Sequence, residues 1–322
     1  MNSQLIDTLL LLALPASGKS EIRRYLEFLP LPVLAADLHL GPTIQLDDYP
    51  YVHLMRRISQ ELRTRGQAPH FFASDELPMN EPLDWGTLMI LINEDYAAIG
   101  VGIGEEPASP AEWLFDRIDR ARVVVGAPPA LAMLLPEVRT GLARALDAEA
   151  GAMWRRLSAL GDADATGATI VIEFARGGPE GSEPPIASPF GYEYALGLLS
   201  PEILRRAAIL YVHVTPEESR RRNDERGRPG RDGDASILHH VVPEAVMRGD
   251  YGMDDLLWLR SQGRGETIVV EREGVGYRLR TAVLDNRVDH TSFLRGDPAT
   301  WPADAVARLH SELSVALTTL AG

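Results

Sequence analysis

The chain has 322 residues, of which 45% are hydrophobic, enough for one large α/β domain or a core domain with a substantial insertion. Its formal net charge of −14 argues against nucleic acid and anionic membranes as partners, although a local basic groove would still admit a polynucleotide. The absence of cysteine excludes disulfides, thiolate zinc sites and cysteine nucleophiles.

The apolar run at residues 9–14 lacks the features of a targeting segment. The residues before it include Asp7 but no lysine or arginine, so the positive region of a signal peptide is missing. The run is too short to span a membrane, and charged residues interrupt every later apolar run. We therefore expect a soluble, cytoplasmic protein with no membrane association.

The first elements predicted along the chain are a buried strand at residues 8–14 and a helix that begins near Lys19 and ends before Pro30. Between them lies Gly18-Lys19-Ser20, the end of a phosphate-binding motif in the strand–loop–helix context that this motif requires. Lys19 is the only lysine among 32 basic residues, and a slim ammonium fits between phosphate oxygens where a guanidinium does not. This use of lysine favours a nucleotide site over a structural loop without a ligand.

The loop is expected to surround phosphates with its backbone N–H groups and with the positive end of the following helix. The residues predicted to bind the nucleotide in this way are Pro15, Ala16, Ser17, Gly18, Lys19 and Ser20. Lys19 is also assigned a catalytic role, and the Ser20 hydroxyl is expected to ligate Mg²⁺. Ala13 stands where the motif has its first glycine, and a small alanine is compatible with that turn.

A second strand, predicted at residues 43–46, runs into Asp47 and Asp48, and a helix is predicted over about 53–65. Either aspartate is a candidate catalytic group, because an acid at this strand end can accept the proton of an attacking hydroxyl or orient a substrate. The alternative is a helix cap or turn residue before Pro50. Which of the two carboxylates faces the cleft depends on the strand phase, which stays open.

The middle of the chain, residues 66–167, is assigned to a largely helical insertion that acts as a substrate-binding or lid subdomain. A capping box predicts a helix that opens near Pro110, and helical periodicity returns over about 138–160. The glycine-rich stretch at 100–104 does not open a helix directly, so we interpret it as a turn and not as a second phosphate loop.

The remaining residues, 1–65 and 168–322, are assigned to a nucleotide-binding core. Apolar runs near residues 8, 43, 169, 208 and 280 alternate with predicted helices. This alternation predicts an α/β fold with three layers, in which a mainly parallel, five-stranded sheet carries helices on both faces. Residues 267–285 are expected to form a hairpin-like pair, and a last helix is predicted over about 302–320.

Further candidates fall at the carboxyl ends of the strands, where parallel sheets bind their ligands. Glu173 follows an apolar strand expected beside the first one, which would place its carboxylate near Mg²⁺ together with Ser20. Arg222 and Arg226 lie one helical turn apart, so one helix face could present both to the phosphates as catalytic groups. The alternative for each arginine is a solvated basic helix end.

Asn286 ends the last predicted strand, and its turn is expected to lie near the adenine of the nucleotide. Further arginines that could meet anionic groups are Arg56, Arg57, Arg228 and Arg231. The pair His239-His240 is not assigned to a metal site, because neighbouring histidines point apart on a regular element and no cysteine is near.

Three stretches resemble phosphate-loop kinases, the group that includes adenylate kinase and many small-molecule kinases. LPASGKS is similar to the LPGSGKS loops of that group. IVIEFARGG resembles the third strand of nucleoside monophosphate kinases, with Glu173 in place of the usual Asp and Arg176 in the arginine position. LYVHVTPEESRRRNDERGRP resembles their fourth strand, the helix after it and their arginine-rich lid. The resemblance covers about half of the chain, and residues 66–167 match nothing in the group.

The resemblance implies a P-loop NTPase fold and an ATP- and Mg²⁺-dependent kinase that phosphorylates a small molecule such as a nucleoside or nucleotide. It also implies that Arg176 contacts the nucleotide, and that Mg²⁺, Lys19 and arginines neutralise charge during transfer. An ATPase or regulator without a small acceptor is the alternative, and a polynucleotide kinase is a third option that the acidity disfavours. A GTPase is disfavoured because its Asn-Lys-x-Asp loop needs a second lysine. The acceptor and the oligomeric state stay open.

Overall fold

The structure is a computed structural model that describes residues 5–226, 241–263 and 266–321. Arg228, Arg231 and the pair His239-His240 lie outside the described residues. The described chain has an α/β fold built on one six-stranded, mostly parallel sheet. None of the helices in this part of the chain combines the length and the apolar character that a membrane span requires.

The sheet has the strand order β2-β3-β1-β4-β6-β5. Its strands are β1 (Thr8–Leu12), β2 (Thr43–Asp47), β3 (Thr169–Phe174), β4 (Ala207–His213), β5 (Thr267–Arg272) and β6 (Val275–Asp285). The first five in this order are parallel, and β5 pairs antiparallel with β6. Because β2 and β3 lie on one side of β1 and β4 on the other, the chain changes side at β1, where α/β sheets open a crevice.

The mainly parallel α/β sheet predicted from the sequence is confirmed, but the predicted number of five strands is wrong. The five apolar runs form the five parallel strands, and the predicted hairpin adds a sixth. The long strand β6 pairs with β5 along its first half and with β4 along its second half, so the hairpin extends the sheet at its edge.

Helices lie between the strands and after the last one. They are α1 (Lys19–Phe28), α2 (Leu31–Asp37), α3 (Tyr49–Thr64), α4 (Asp84–Ala98), α5 (Pro110–Val124), α6 (Pro136–Gly161), α7 (Gly191–Gly197), α8 (Pro201–Arg206), α9 (Pro216–Arg226), α10 (Glu244–Gly249), α11 (Leu256–Gln262) and α12 (Ala303–Ala321). Two short 3-10 helices, Ser292–Arg295 and Pro298–Thr300, precede α12.

Local signals account for several of these helices. The Ser109 hydroxyl accepts a hydrogen bond from the Glu112 backbone N–H, which confirms the predicted start of α5. Helix α4 was not predicted, because it is buried on most of its surface and shows no amphipathic period. The chain turns at residues 99–101, at the start of the predicted turn, and all three glycines of residues 100–104 have positive φ.

The alternation of side chains along β1 builds two apolar cores. Leu10 and Leu12 join the larger one, which continues through α3 into the helices α4, α5 and α6 of residues 66–167. Leu9 and Leu11 join the other, between the sheet and helices α1, α2 and α12. Helices therefore cover both faces of the sheet. The stretch of residues 66–167 shares its apolar core with the rest of the protein.

Candidate functional site

A cavity of about 210 Å³ lies at the carboxyl ends of β1, β2 and β3. One end is formed by residues 15–20, which we call the GKS loop, and by Arg23 of α1 and Arg226 of α9. The other end is walled by Phe72 and Trp85, by part of α3, and by Val246, Asp250 and Tyr251, and we call it the aromatic compartment. Between the two ends stand Asp47, Asp48 and Glu173.

Lys19 folds back over the GKS loop. Its ammonium donates to the backbone carbonyls of Ala13, at 3.1 Å, and Leu14, at 3.3 Å, and the side chain is buried. Burial lowers the pKa of Lys19, and the nearby carboxylates of Glu173 and Asp48 counteract part of this effect. No carboxylate forms a direct ion pair with Lys19 among the described residues, so its charge is available to an anion in the cavity.

Two residues of the loop have a left-handed backbone, a conformation that occurs in turns whose N–H groups bind anions. Gly18 has φ +104°, and Ala16 also lies in the left-handed region with φ +54°. A side chain at position 18 would collide with Thr291 and Asn286, so glycine is required there by both conformation and space. Ala13, in the place of the motif's first glycine, is fully buried, directly follows β1 and has no positive φ.

Asn286, predicted to contact the nucleotide, supports the loop from behind. Its amide donates to the carbonyl of Ser17 at 2.7 Å and to the Thr291 hydroxyl at 3.0 Å, and it is fully buried outside the cavity wall. The carbonyl of Asn286 accepts a hydrogen bond of 2.6 Å from Arg222. Ser219 of the same helix donates to Pro15 O at 2.7 Å, so α9 and the turn after β6 hold the loop together.

The two predicted arginines of α9 take different positions. Arg222 is buried against Glu218, at 2.6 Å, and the carbonyl of Asn286, and it does not line the cavity. Arg226 lines the cavity beside the GKS loop and donates to Glu21 at 3.0 Å. Of this pair, only Arg226 stands where it can meet a ligand.

Asp47 and Glu173 occupy adjacent register positions at the ends of β2 and β3. The guanidinium of Arg23 lies between them, 3.3 Å from Glu173 and 3.9 Å from Asp47, and Arg156 of α6 donates to Asp47 at 2.8 Å. Burial raises the pKa of Glu173, and Lys19 and Arg23 counteract part of this. A cation is thus already held between these two carboxylates.

Asp48 is buried and forms a direct pair with Arg176, whose guanidinium donates to it at 2.6 Å. Although Asp48 occupies the N-cap position of α3, its side chain does not cap that helix. Burial raises the pKa of Asp48, and Arg176 opposes this rise. Arg176, predicted to contact the nucleotide, also donates to Trp85 O at 3.3 Å and lies under the cavity wall, where it orients the aspartate.

The aromatic compartment was not predicted from the sequence. Trp85 and Tyr251 pack edge to face with ring centroids 5.6 Å apart, and Asp250 lies buried beside them with one carboxylate oxygen unpaired. Burial raises the pKa of Asp250 to about 6. These residues come from α4 and from the end of α10, 160 or more positions apart, so no local pattern connects them.

The neighbouring arginines of α3 point to different surroundings. Arg56 lines the aromatic compartment, with its guanidinium 3.9 Å from the centre of the Phe72 ring and a hydrogen bond to Asp75 O at 2.8 Å. No carboxylate of the described residues forms an ion pair with it. Arg57 pairs with Glu149 at 3.0 Å and lies outside the cavity.

The sequence matches no model of a known protein family, and no curated protein matches it. The resemblance to phosphate-loop kinases therefore stands on separate short motifs. An α/β fold of this kind supports many activities, so the fold alone implies none of them.

Proposed function

We propose that the protein is an ATP- and Mg²⁺-dependent kinase that transfers the γ-phosphoryl group to a hydroxyl of a small molecule. The observation that carries the proposal is the composition of one cavity. The GKS loop with Lys19 forms one end, a buried acid stands in the middle, and a separate aromatic compartment forms the other end. A phosphoryl donor and an acceptor could lie in it side by side.

At the loop end, the ammonium of Lys19 and the N–H groups at the start of α1 provide positive charge for a polyphosphate. Arg226, which lines the cavity beside the loop, adds a second cation. The position of the loop at the switch point of the sheet, between β3 and β4, also favours a nucleotide site. Charge that develops on the phosphoryl oxygens during transfer would meet these groups.

Mg²⁺ fits this end of the cavity because it needs few protein ligands. No group of three or more acidic or histidine side chains suited to a metal exists among the described residues. Ser20 and Glu173 would hold the ion together with phosphate oxygens, as Mg²⁺ sites of one or two protein ligands do. Glu173 pairs with Arg23 at 3.3 Å, and this pair would have to open for the carboxylate to reach the ion. When bound, Mg²⁺ would supply charge neutralisation on the phosphates.

Asp48 is assigned the role of general base. In the transfer, a bond forms between the acceptor oxygen and the γ-phosphorus, the bond from that phosphorus to the bridging oxygen of ADP breaks, and the hydroxyl proton passes to Asp48. Its buried position raises its basicity, and its bond to Arg176 fixes its orientation. Asp47 is assigned a supporting role, since Arg156 and Arg23 already surround it.

The alternative, an ATPase or regulator without a small acceptor, fits the cavity less well. Hydrolysis needs room for one water molecule only, whereas the aromatic compartment extends the cavity beyond the carboxylates to Phe72 and Trp85. Aromatic walls with a few polar groups are typical of sites for small organic ligands.

The test is a set of two measurements on the full chain with Mg²⁺. Calorimetry gives the dissociation constants of ATP and GTP, and we expect tighter binding of ATP. A screen for phosphate transfer then covers nucleosides, nucleotides, sugars and aminoglycosides, with Lys19→Ala as the inactive control. A Glu173→Gln variant should lose Mg²⁺-dependent turnover while it retains the fold.

Phosphorylation of at least one hydroxyl acceptor by the wild type, and not by Lys19→Ala, would support the kinase. Tight ATP binding without transfer to any acceptor would support the regulator instead. If inorganic phosphate is released at the same rate with and without each acceptor, the result would support an ATPase. Failure of wild type to bind either nucleotide would overturn the proposed function altogether.

A further inference from the structure

Glu21 of α1 is a fully buried carboxylate that two arginines share. Arg226 of α9 donates to its Oε1 at 3.0 Å, and Arg295 of the first 3-10 helix donates to the same oxygen at 2.7 Å. The second oxygen, Oε2, is buried without a hydrogen-bond partner among the described residues. One carboxylate oxygen thus pairs with two arginines, while the other oxygen accepts no hydrogen bond within the described chain.

The two arginines differ in how they are held. The segment of Arg295 is fixed to α1, because Arg24 donates to the carbonyls of Leu294, at 2.8 Å, and of Arg295 itself, at 2.7 Å. Arg295 does not line the cavity. Arg226 does line it, its Nε has no partner, and Glu21 is its only ion-pair partner within the described chain. Arg226 is therefore the arginine that can leave.

The charges of this cluster are not balanced. A buried carboxylate needs one cation, and Arg295 alone can satisfy Glu21, with Oε2 ready to accept a second hydrogen bond. The second arginine leaves one net positive charge beside the GKS loop. Burial on its own would raise the pKa of Glu21, yet Arg226 and Arg295 together hold it below its ordinary value, so the acid stays ionised.

We propose that Glu21 and Arg295 are positioning residues for Arg226. Without nucleotide, Glu21 holds Arg226 at the cavity wall. When a polyphosphate occupies the GKS loop, Arg226 turns to the phosphate oxygens, and Arg295 takes over both oxygens of Glu21, so no buried charge is left unpaired. The inference rests on the proposed nucleotide site, but it does not depend on the presence of an acceptor.

The experiment compares ATP dissociation constants, measured by calorimetry with Mg²⁺, for wild type, Glu21→Gln, Arg226→Ala and the double variant. Glu21→Gln removes the group that competes with phosphate for Arg226, so ATP should bind about fivefold tighter or more, the lower end of usual coupling between sites. In the Arg226→Ala background the same change should have no effect within twofold. Asp304→Asn removes an exposed carboxylate of α12 that does not line the cavity, and it should leave ATP binding unchanged.

A purely structural role of Glu21 gives the opposite pattern. Loss of support for α1 would weaken ATP binding, and it would do so with or without Arg226. Either result, weaker binding in Glu21→Gln or an equal change in both backgrounds, overturns the inference. If Glu21→Gln does not fold, Glu21→Asp retains the charge, shortens the reach to Arg226 and should tighten ATP binding to a smaller extent.

The two proposals fail in different ways. If the wild type binds ATP but phosphorylates no acceptor, the proposed kinase activity is wrong. The effect of Glu21 can still be measured from the ATP dissociation constants. If the wild type transfers phosphate but Glu21→Gln binds ATP as the wild type does, the inference is wrong and the proposed kinase activity stands. Wild type that does not bind ATP removes both.

Discussion

The two ends of the cavity are built in different ways. The GKS loop consists of consecutive residues between β1 and α1, and its shape depends on backbone conformation, above all at Gly18. The aromatic compartment takes its walls from separate parts of the chain, which supply Phe72, Trp85 and Tyr251. The first end is a local structure, and the second exists only after folding.

Under the proposed function, this difference assigns the common ligand to the loop end and the variable ligand to the aromatic compartment. A contiguous loop that binds through backbone groups suits a ligand that is the same in many proteins, such as a triphosphate. Walls made of side chains from distant segments can change one residue at a time, which suits the variable partner of the reaction. Asp48 stands between the two ends, and it would act on both ligands.

The largest effect is expected at the loop end. Lys19→Ala should lower phosphate transfer by roughly 10³-fold or more, because it removes the cation nearest to the transferred group. Lys19→Arg should fail to a similar extent, since the planar guanidinium cannot occupy the narrow space below the Ala13 and Leu14 carbonyls. Single-turnover transfer measures both. Activity within a few-fold of wild type in either variant would contradict the assignment of the loop.

The next effect tests the acid between the two ends. Asp48→Asn should lower kcat by about 10²- to 10⁴-fold with a small change in ATP affinity, because the base is lost and the donor site is not. The matched variant Asp47→Asn should have a much smaller effect. Equal losses in the two variants would show that the choice between these neighbours is wrong.

The same assignment predicts a pH dependence. A general base works when ionised, and burial raises the pKa of Asp48 above that of an ordinary aspartate. The rate of transfer should therefore fall on the acid side, with a midpoint above 3.8 in wild type. A kcat profile that stays flat down to the pH at which the fold is lost would argue against Asp48 as the base.

A smaller effect is expected on the KM of the acceptor, and it should differ between Arg56 and Arg57 of α3. Arg56→Ala should raise the KM of an acceptor that bears a carboxylate or phosphate by about tenfold, the usual worth of a hydrogen bond to a charged group. Arg57→Ala removes the same charge outside the cavity and is the matched control. Steady-state kinetics with the acceptor from the transfer screen measures both variants. A larger effect of Arg57→Ala would place the acceptor elsewhere.

The smallest change concerns stability and not activity. Burial raises the pKa of Asp250 to about 6 from 3.8, so the native state favours the protonated acid. The contribution of Asp250 to the stability of the fold is therefore greatest below pH 3.8, the pKa of the group in the unfolded chain. This contribution is lost as the pH rises through about 6. At pH 7.5 the buried Asp250 is ionised at a cost in stability. Asp250→Asn removes this cost and should raise the free energy of unfolding at pH 7.5 by roughly 2 to 3 kcal/mol relative to wild type. Denaturant unfolding at pH 7.5 and pH 5 tests this, and a difference that grows on acidification would contradict it.

Elements with strong local signals were predictable from the sequence. Helix α1 begins at Lys19 and ends before Pro30, and α5 begins where its capping box predicts. Apolar runs were clearest for the central strands β1, β3 and β4, because a strand buried on both faces is apolar at most positions. Helix α4 was not predicted for a related reason. A helix that is buried on most sides lacks a polar face, so its sequence shows no helical period.

Among the site residues, those of the loop follow from the chain order alone. The positions of Arg222, Arg226 and Asn286 do not. The spacing predicted that one helix face could present both arginines to the phosphates. Packing instead directs Arg222 to the carbonyl behind the loop, and of the two only Arg226 reaches the cavity. Arg176, expected at the nucleotide, pairs with Asp48 because the ends of β2 and β3 lie side by side.

The sequence by itself therefore determined the α/β class, the parallel strands and the GKS loop, since these depend on periodicity and backbone conformation within short segments. The tertiary structure alone decided which charges pair, which acid is buried, and that α4 and the segment around Tyr251 meet to form the aromatic compartment. Such contacts join residues more than a hundred positions apart. Their energies depend on burial and distance, and a local pattern in the chain encodes neither.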